Sequence, residues 1–361
     1  MNMDDLYPRL LGFVREQPWA LLPEKLAVMA DLLRFRSSGG RLTPDEVRSR
    51  IETGKNARAR QRYYDPESDD IFDPHHDPET GQLLGYRSAA TGATMQQGRQ
   101  VVAVLGIYGL ISQRASMVDD LSGPGATSIE RLTAQVRAAL ADQAVRAIVF
   151  DVDSPGGGVY GVQELADEIR DARGTKPMFA VANSLAASAA YWLATSADEL
   201  AVTPSGEVGS VGVYAAHEDM SKALEEEGVK VTLVSAGKFK TEGNPFEPLS
   251  EEAAAYMQAR VDDYYNAFVR AVAKSRGVGV EDVRRGFGQG RVVGASQAVE
   301  MKMADRTATL DETIRRAGGR SGAPAQRAAV APAAPVTSAP PQQTPAHLAE
   351  LEAASVRART L

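Results

Sequence analysis

The stretch "AIVFDVDSPGGGVYGVQELADEIRDAR", residues 147–173, passes from a continuous apolar run through one proline and three consecutive glycines into an amphipathic pattern. The run Ala147 to Asp153 reads as a buried strand, and the segment from Gly161 reads as a helix. A strand that feeds a helix through a tight glycine turn is the repeating unit of a parallel α/β sheet. The neighbouring sequence repeats it. "VVAVLGIYGLI" (101–111) is a strand candidate, and Ile129, Leu132, Val136 and Leu140 then recur at helical spacing. "PMFAVA" (177–182) is a further strand, an alanine-rich helix begins at Ser188, and "GSVGVY" (209–214) and "VKVTLV" (229–234) complete the series. The fold class is therefore α/β with a parallel-rich sheet, and its chemistry is expected at loops that follow strand ends.

Working outward, the texture of the chain defines four regions. Residues 1–56 read as a helical N-terminal module: Leu22, Leu26, Met29 and Leu33 fall near helical spacing, and Thr43 before Pro44 is a helix N-cap signal. Residues 57–100, rich in Asp and Pro, read as a polar linker. His75 and His76 lie there among acids, and adjacent histidines without a helical or hairpin frame are poor chelators, so no metal site is assigned. Residues 101–319 are the α/β domain, and residues 320–361 are an Ala/Pro-rich tail expected to be disordered, with a short helix possible only at its very end.

Composition narrows the function. A net charge of −7 argues against a general nucleic-acid binder, because phosphate contacts need clustered Lys and Arg. The absence of cysteine removes disulfides, thiol nucleophiles and thiolate metal sites, in keeping with a cytoplasmic location. No apolar run reaches membrane-spanning length, and the start "MNMDDLYPRLLGF" has acids where a signal peptide has positive charge, so no membrane anchor is expected.

Two loops carry chemistry. In "DSPGGG" (153–158), Gly156 to Gly158 leave backbone N–H groups unobstructed, as an oxyanion hole requires. The loop lacks the Lys-Ser/Thr of a P-loop and the GxGxxG spacing of a dinucleotide site, which sets nucleotide binding aside. In "NSLAASAAYWLA" (183–194), Ser188 stands at a helix start directly after a strand, with Ala189 offering a second N–H. Small residues from Ala186 to Ala190 keep the approach clear, Tyr191 and Trp192 read as core anchors, and Ser184 reads as a turn or capping residue. A serine nucleophile needs a base. His217 is the one histidine within the α/β region; "SAGKFKTEGNP" (235–245) offers Lys238 and Lys240. For a lysine to act near neutral pH, burial must bring its pKa from about 10.4 to roughly 7–8. Spacing alone does not choose between the two lysines.

In this order, "DSPGGG", "SLAASAAYW", "GEVGSVGVY", "SAGKFKTEGNP" and the later "GRVVGASQAVEMKMADRTATLDETI" resemble the signal peptide peptidase A (protease IV) family of serine peptidases, over about Val101 to Gly319. The resemblance implies a ClpP/crotonase-like spiral of ββα units, Ser188 as nucleophile, Lys240 as general base, and Gly157 with Ala189 as oxyanion donors. It implies no metal and no other cofactor. Where that family commonly has Ser-Gly-Gly-Tyr, this chain has Ser188-Ala189-Ala190-Tyr191, and Thr241 follows the lysine where Asp is often found. These departures bear on substrate preference. The missing anchor, the N-terminal module and the Ala/Pro tail resemble the bacteriophage branch of the family, the head maturation proteases. That branch implies a homo-oligomer acting on capsid, portal or scaffold polypeptides in the host cytoplasm or prohead. The alternatives are a Ser-His peptidase using His217, and a non-catalytic assembly or scaffolding protein that keeps the fold.

Overall fold

The computed structural model describes residues 18–23, 61–76, 83–95, 98–114 and 126–319. Of the helical module expected over 1–56, all but residues 18–23 lie outside the described residues, the Thr43 cap included, as does the tail 320–361 with its terminal helix.

A single mixed sheet organises the molecule. Its spine is three long parallel strands, β5 (Val101–Ser112), β7 (Val145–Gly158) and β8 (Met178–Ala187). The first half of β8 pairs in parallel with β9 (Glu199–Val202), and its last residues pair with β10 (Glu207–Gly209). The change of neighbour marks a bend. It coincides with register shifts at Tyr108/Leu110 between β5 and β7 and at Val152/Ser154 between β7 and β8. The strands therefore turn together as they approach their C-terminal ends. Short β6 (Thr127–Ser128) pairs with the end of β5, β11 (Val292–Gly294) caps β10, and β12 (Arg306–Thr307) lies beside β9.

On the other side of β5 the sheet continues antiparallel through β2 (Arg62–Asp65), β3 (Asp70–His76) and β4 (Leu83–Ser88). This corrects the reading of that stretch as an unstructured linker. Its Asp and Pro residues serve turns and edges: Asp65 accepts from the Glu67 N–H and the Ser68 hydroxyl across the β2–β3 turn, and Pro74 sits on a strand near the sheet margin. His75 and His76 are strand residues, not loop residues.

The period-two alternation of the strands sorts their side chains into two layers. Leu105, Ile107, Ile148, Phe150 and Val152 face helices α1 (Ile129–Ala141), α2 (Val162–Asp171) and α3 (Ala189–Ala194). Val102, Val104, Ala147 and Val149 face the other way, with Ile314 and Ala317 of the C-terminal helix Leu310–Ala317. Tyr191 and Trp192 are core anchors as expected. Trp192 stacks on Phe268 at 4.6 Å between centroids, and the Tyr191 hydroxyl donates to the Met303 carbonyl at 2.8 Å. These contacts fix α3, and with it Ser188.

One expected strand is missing. Residues 229–234 form no strand, and "GSVGVY" is a strand only at its first residue, Gly209. The segment from Ala215 to Leu249 is an arm with one short helix, α4 (Ser221–Glu226). Val231, Leu233, Val234 and Phe239 are exposed along it, Val234 to 96%. The alternation of "VKVTLV" is a β pattern without a partner strand among the described residues. After the arm comes the long helix α5 (Glu251–Arg276), capped by the Ser250 hydroxyl on Ala253 N–H and ended by Gly277 at φ 65°.

Candidate active site

Ser188 occupies the turn between β8 and α3 with φ 55° and ψ −118°. An L-residue with this backbone is strained by on the order of 1–3 kcal/mol, and such strain persists only where the surroundings over-determine it. Here the Ser188 N–H donates to the Gly209 carbonyl at 2.8 Å, and its own carbonyl accepts from Trp192 N–H at 2.9 Å. A sharp strand-to-helix turn of this kind is how a nucleophilic serine is presented at the end of an α/β sheet. The hydroxyl contacts the Gly212 carbonyl at 3.4 Å, a long and weak bond.

The glycine-rich loop does not end β7, as its sequence implied; β7 runs on to Gly158. Gly156 takes φ +99°, and a Cβ there would stand 2.2 Å from the Ala20 carbonyl oxygen, 3.0 Å from the Ala187 oxygen and 3.0 Å from Ser188 Cβ. At Gly157 a Cβ would stand 1.9 Å from the Ile111 oxygen. Both positions therefore require glycine, and the backbone they form lies directly beside Ser188. Ala189 is the first residue of α3, so its N–H has no partner within the helix. The structure thus brings Ser188, Ala189 and the Gly156–Gly157 edge together.

It does not bring Lys240 to them. Lys240 is exposed in a turn of the arm, its N–H bonded to the Gly237 carbonyl at 3.2 Å, and no hydrogen bond links it to Ser188 among the described residues. Lys238 is engaged with Glu252 at 3.0 Å and lies over the Phe239 ring. His217 bonds through Nε2 to the Asn244 carbonyl at 3.0 Å, so it ties one part of the arm to another. Ser184, at φ 117°, lies within β8 and so is not the turn or capping residue its sequence suggested; its hydroxyl donates to Asp153 at 2.6 Å.

Two features escaped the sequence reading. The first is a buried polar knot below the site. Asp151 on β7 accepts from Arg62 of β2 at 2.8 Å, from Asn183 of β8 at 3.0 Å and from the Tyr108 hydroxyl of β5. Burial, then the adjacent Asp151 charge, pushes the Tyr108 hydroxyl far above its ordinary range, which keeps it a donor. Four strands are cross-tied just before they bend. The second is a strand from the N-terminal region, β1 (Trp19–Leu21), paired antiparallel with Gly156–Gly158. Its available signal was the bracket of Pro18 and Pro23 around four apolar residues, a pattern that suits a short extended segment better than a helix.

Residues 170–322 match the model of peptidase family S49, which bears out the resemblance read from the motifs. The chain is 32% identical over 213 residues to capsid assembly protease C of Escherichia phage lambda, covering 59% of this chain and 48% of that protein. It is 33% identical over 213 residues to head-tail preconnector protein GP5 of Enterobacteria phage P21, covering 59% of this chain and 42% of that protein. Protease 4 of Salmonella typhi is 28% identical over 213 residues, covering 59% of this chain and 34% of that protein. The match spans less than half the length of each of these relatives. Among the described residues no helix is long and apolar enough to cross a membrane.

Proposed function

We propose that this protein is a serine endopeptidase that processes capsid, portal or scaffold polypeptides during phage head maturation, with Ser188 as nucleophile and Lys240 of a neighbouring copy as general base. The observation that carries it is the strained Ser188 turn set against a glycine edge on which a polypeptide strand is already laid. In the first step the Ser188 hydroxyl gives its proton to the neutral Lys240 amine as Oγ adds to the substrate carbonyl carbon. The negative charge that develops on the carbonyl oxygen is met by the Gly157 and Ala189 N–H groups. The C–N bond then breaks, the lysine returns the proton to the leaving amine, and an acyl-Ser188 ester remains. Water, deprotonated by the same lysine, hydrolyses the ester and restores the hydroxyl.

A lysine base must be desolvated to be neutral, and Lys240 is exposed in the single chain. The β pattern at 229–234, which pairs with no strand among the described residues, and the exposed Val231, Leu233, Val234 and Phe239 give the arm a reason to dock on another copy, which would bury the lysine and deliver it to a neighbour's Ser188. A homo-oligomer follows. We further read the bent strands β5, β7 and β8 with their helices as the ClpP/crotonase-like spiral. The test is mass spectrometry of co-expressed head proteins with the natural chain and with Ser188→Ala. Defined cleavage products present only with the natural chain are expected; the same products in both would refute the assignment.

A further inference from the structure

The cleft beside Ser188 is filled by the chain itself. Trp19, Ala20 and Leu21 pair antiparallel with Gly158, Gly157 and Gly156, and the Leu22 N–H donates to the Pro155 carbonyl at 3.1 Å. On the opposite edge Trp19 exchanges two bonds with Tyr214, its N–H donating at 2.8 Å and its carbonyl accepting at 3.0 Å. The segment is therefore clamped as a middle strand between the glycine edge and the residue chain that follows β10. Antiparallel partners alternate between hydrogen-bonded and non-bonded pairs. Because Leu22 and Pro155 are a bonded pair, Ala20 and Gly157 are the next one, which turns the Ala20 carbonyl toward the assigned oxyanion donor. The closeness of the Ala20 oxygen and Ser188 Cβ to the same point beside Gly156, 2.2 and 3.0 Å, agrees with this. Trp19 and Ala20 are wholly buried, and beside them Ser188 retains only 1% exposure.

We propose that Trp19–Leu22 is a built-in substrate strand: it occupies the peptide cleft in the register that sets the Ala20–Leu21 bond against Ser188, and it competes with every other polypeptide for that cleft. The inference rests on the peptidase reading for its catalytic meaning, but the occupancy itself is a matter of binding. Its register also defines the ligand class, an extended peptide with a small residue at the Ala20 position, since that residue lies against glycine backbone with no room beside it.

The test uses a fluorescently labelled peptide of residues 17–24, QPWALLPE, titrated into full-length Ser188→Ala protein and into Ser188→Ala with Ala20→Arg. Arginine at a wholly buried strand position expels the tethered copy. If that copy fills the cleft nine-tenths of the time, the peptide binds the double variant about tenfold more tightly. Equal affinity, or no binding to the folded double variant, would overturn the proposal. Should Ala20→Arg fail to fold, hydrogen exchange on the Ser188→Ala protein decides instead. A tethered strand has an effective concentration of about millimolar order, so millimolar peptide should speed exchange at residues 19–22, and unchanged exchange there overturns the proposal. Both readouts are independent of catalysis. Cutting of the same peptide by Ala20→Arg protein with an intact serine reports on the peptidase reading separately, and a peptide that binds but is never cut refutes that reading while leaving the built-in strand in place.

Discussion

Gly157→Ala tests the oxyanion edge with one methyl group. The added Cβ would lie 1.9 Å from the Ile111 oxygen and 2.6 Å from both its carbonyl carbon and its nitrogen. All three are backbone atoms of β5, so no rotamer change relieves the clash, and φ at this glycine is not positive, so the effect is purely one of space. The end of β7 must move away from β5. Overpacking of this kind costs about 1–3 kcal/mol of stability. The catalytic cost is larger, because the displaced edge carries the Gly157 N–H. Loss of one oxyanion donor lowers kcat by about 10²–10³-fold. Gly286→Ala is the matched control, since a Cβ there meets nothing within 4 Å. The assay is steady-state hydrolysis of an unstructured peptide, with thermal melts on the same preparations. A folded Gly157→Ala protein whose kcat stays within about threefold of the parent would refute the placement of the oxyanion hole, because that loss is far below the donor's expected worth.

Other expected outcomes concern the base, the assembly, the tail and acid stability. Lys240→Ala should abolish peptide hydrolysis while Lys238→Ala and His217→Ala keep most of it, since Lys238 is already paired with Glu252 and His217 with the Asn244 carbonyl; full activity in Lys240→Ala would remove the dyad. Mixing inactive Ser188→Ala and Lys240→Ala chains should restore part of the activity if the base comes from a neighbour, and an active monomer by light scattering would contradict this. Deleting residues 322–361 should leave hydrolysis of a small peptide nearly unchanged but impair head-protein processing, both measured on one truncated protein. Burial alone would raise the Asp305 carboxyl, but bonds from Arg276 and the Leu200 N–H hold it below its ordinary 3.8. A depressed folded value stabilises above the unfolded pKa and is lost as pH falls through the folded one, so Arg276→Met should flatten acid unfolding below about pH 4, read by circular dichroism.

The fold class was legible because local patterns and tertiary demands agree in the spine. β5, β7 and β8 are apolar runs long enough to be buried on both faces, and α1 and α2 show helical stripes that match the observed buried residues. Ser188 was legible for a related reason: small residues between a strand and a helix leave few roles other than a close-packed, open turn. Reading failed where pairing at long range decides. Residues 62–76 and 83–88 look like linker because edge strands carry charge and proline, and it is pairing onward from β5 that makes strands of β2, β3 and β4. Leu22 fits a helical stripe equally well, and what fixes Trp19–Leu21 as a strand is the glycine edge more than a hundred residues away. At 229–234 the sequence has the alternation of a strand, yet no strand among the described residues pairs with it.

The division of the site between rigid and unanchored parts has a mechanistic consequence. Ser188, Ala189 and the glycine edge are set by the sheet, by the Trp192–Phe268 stack and by the Asp151 knot, so their geometry does not await a partner. Lys240 rides on an arm whose apolar side chains face water. Leaving a Val, Leu or Phe exposed forfeits roughly 1.5–3 kcal/mol relative to burial, so covering several of them supplies ample free energy to dock the arm and desolvate the lysine together. In the proposed scheme, burial of the arm and creation of the base are one event. A single chain then holds a prepared nucleophile with its cleft filled by Trp19–Leu22, and peptide hydrolysis begins only where copies meet at a concentration that an assembling particle provides. Hydrolysis rate per chain should accordingly rise with protein concentration and level off once the arms are covered, and a rate per chain that stays constant on dilution to a light-scattering monomer would break the link between assembly and catalysis.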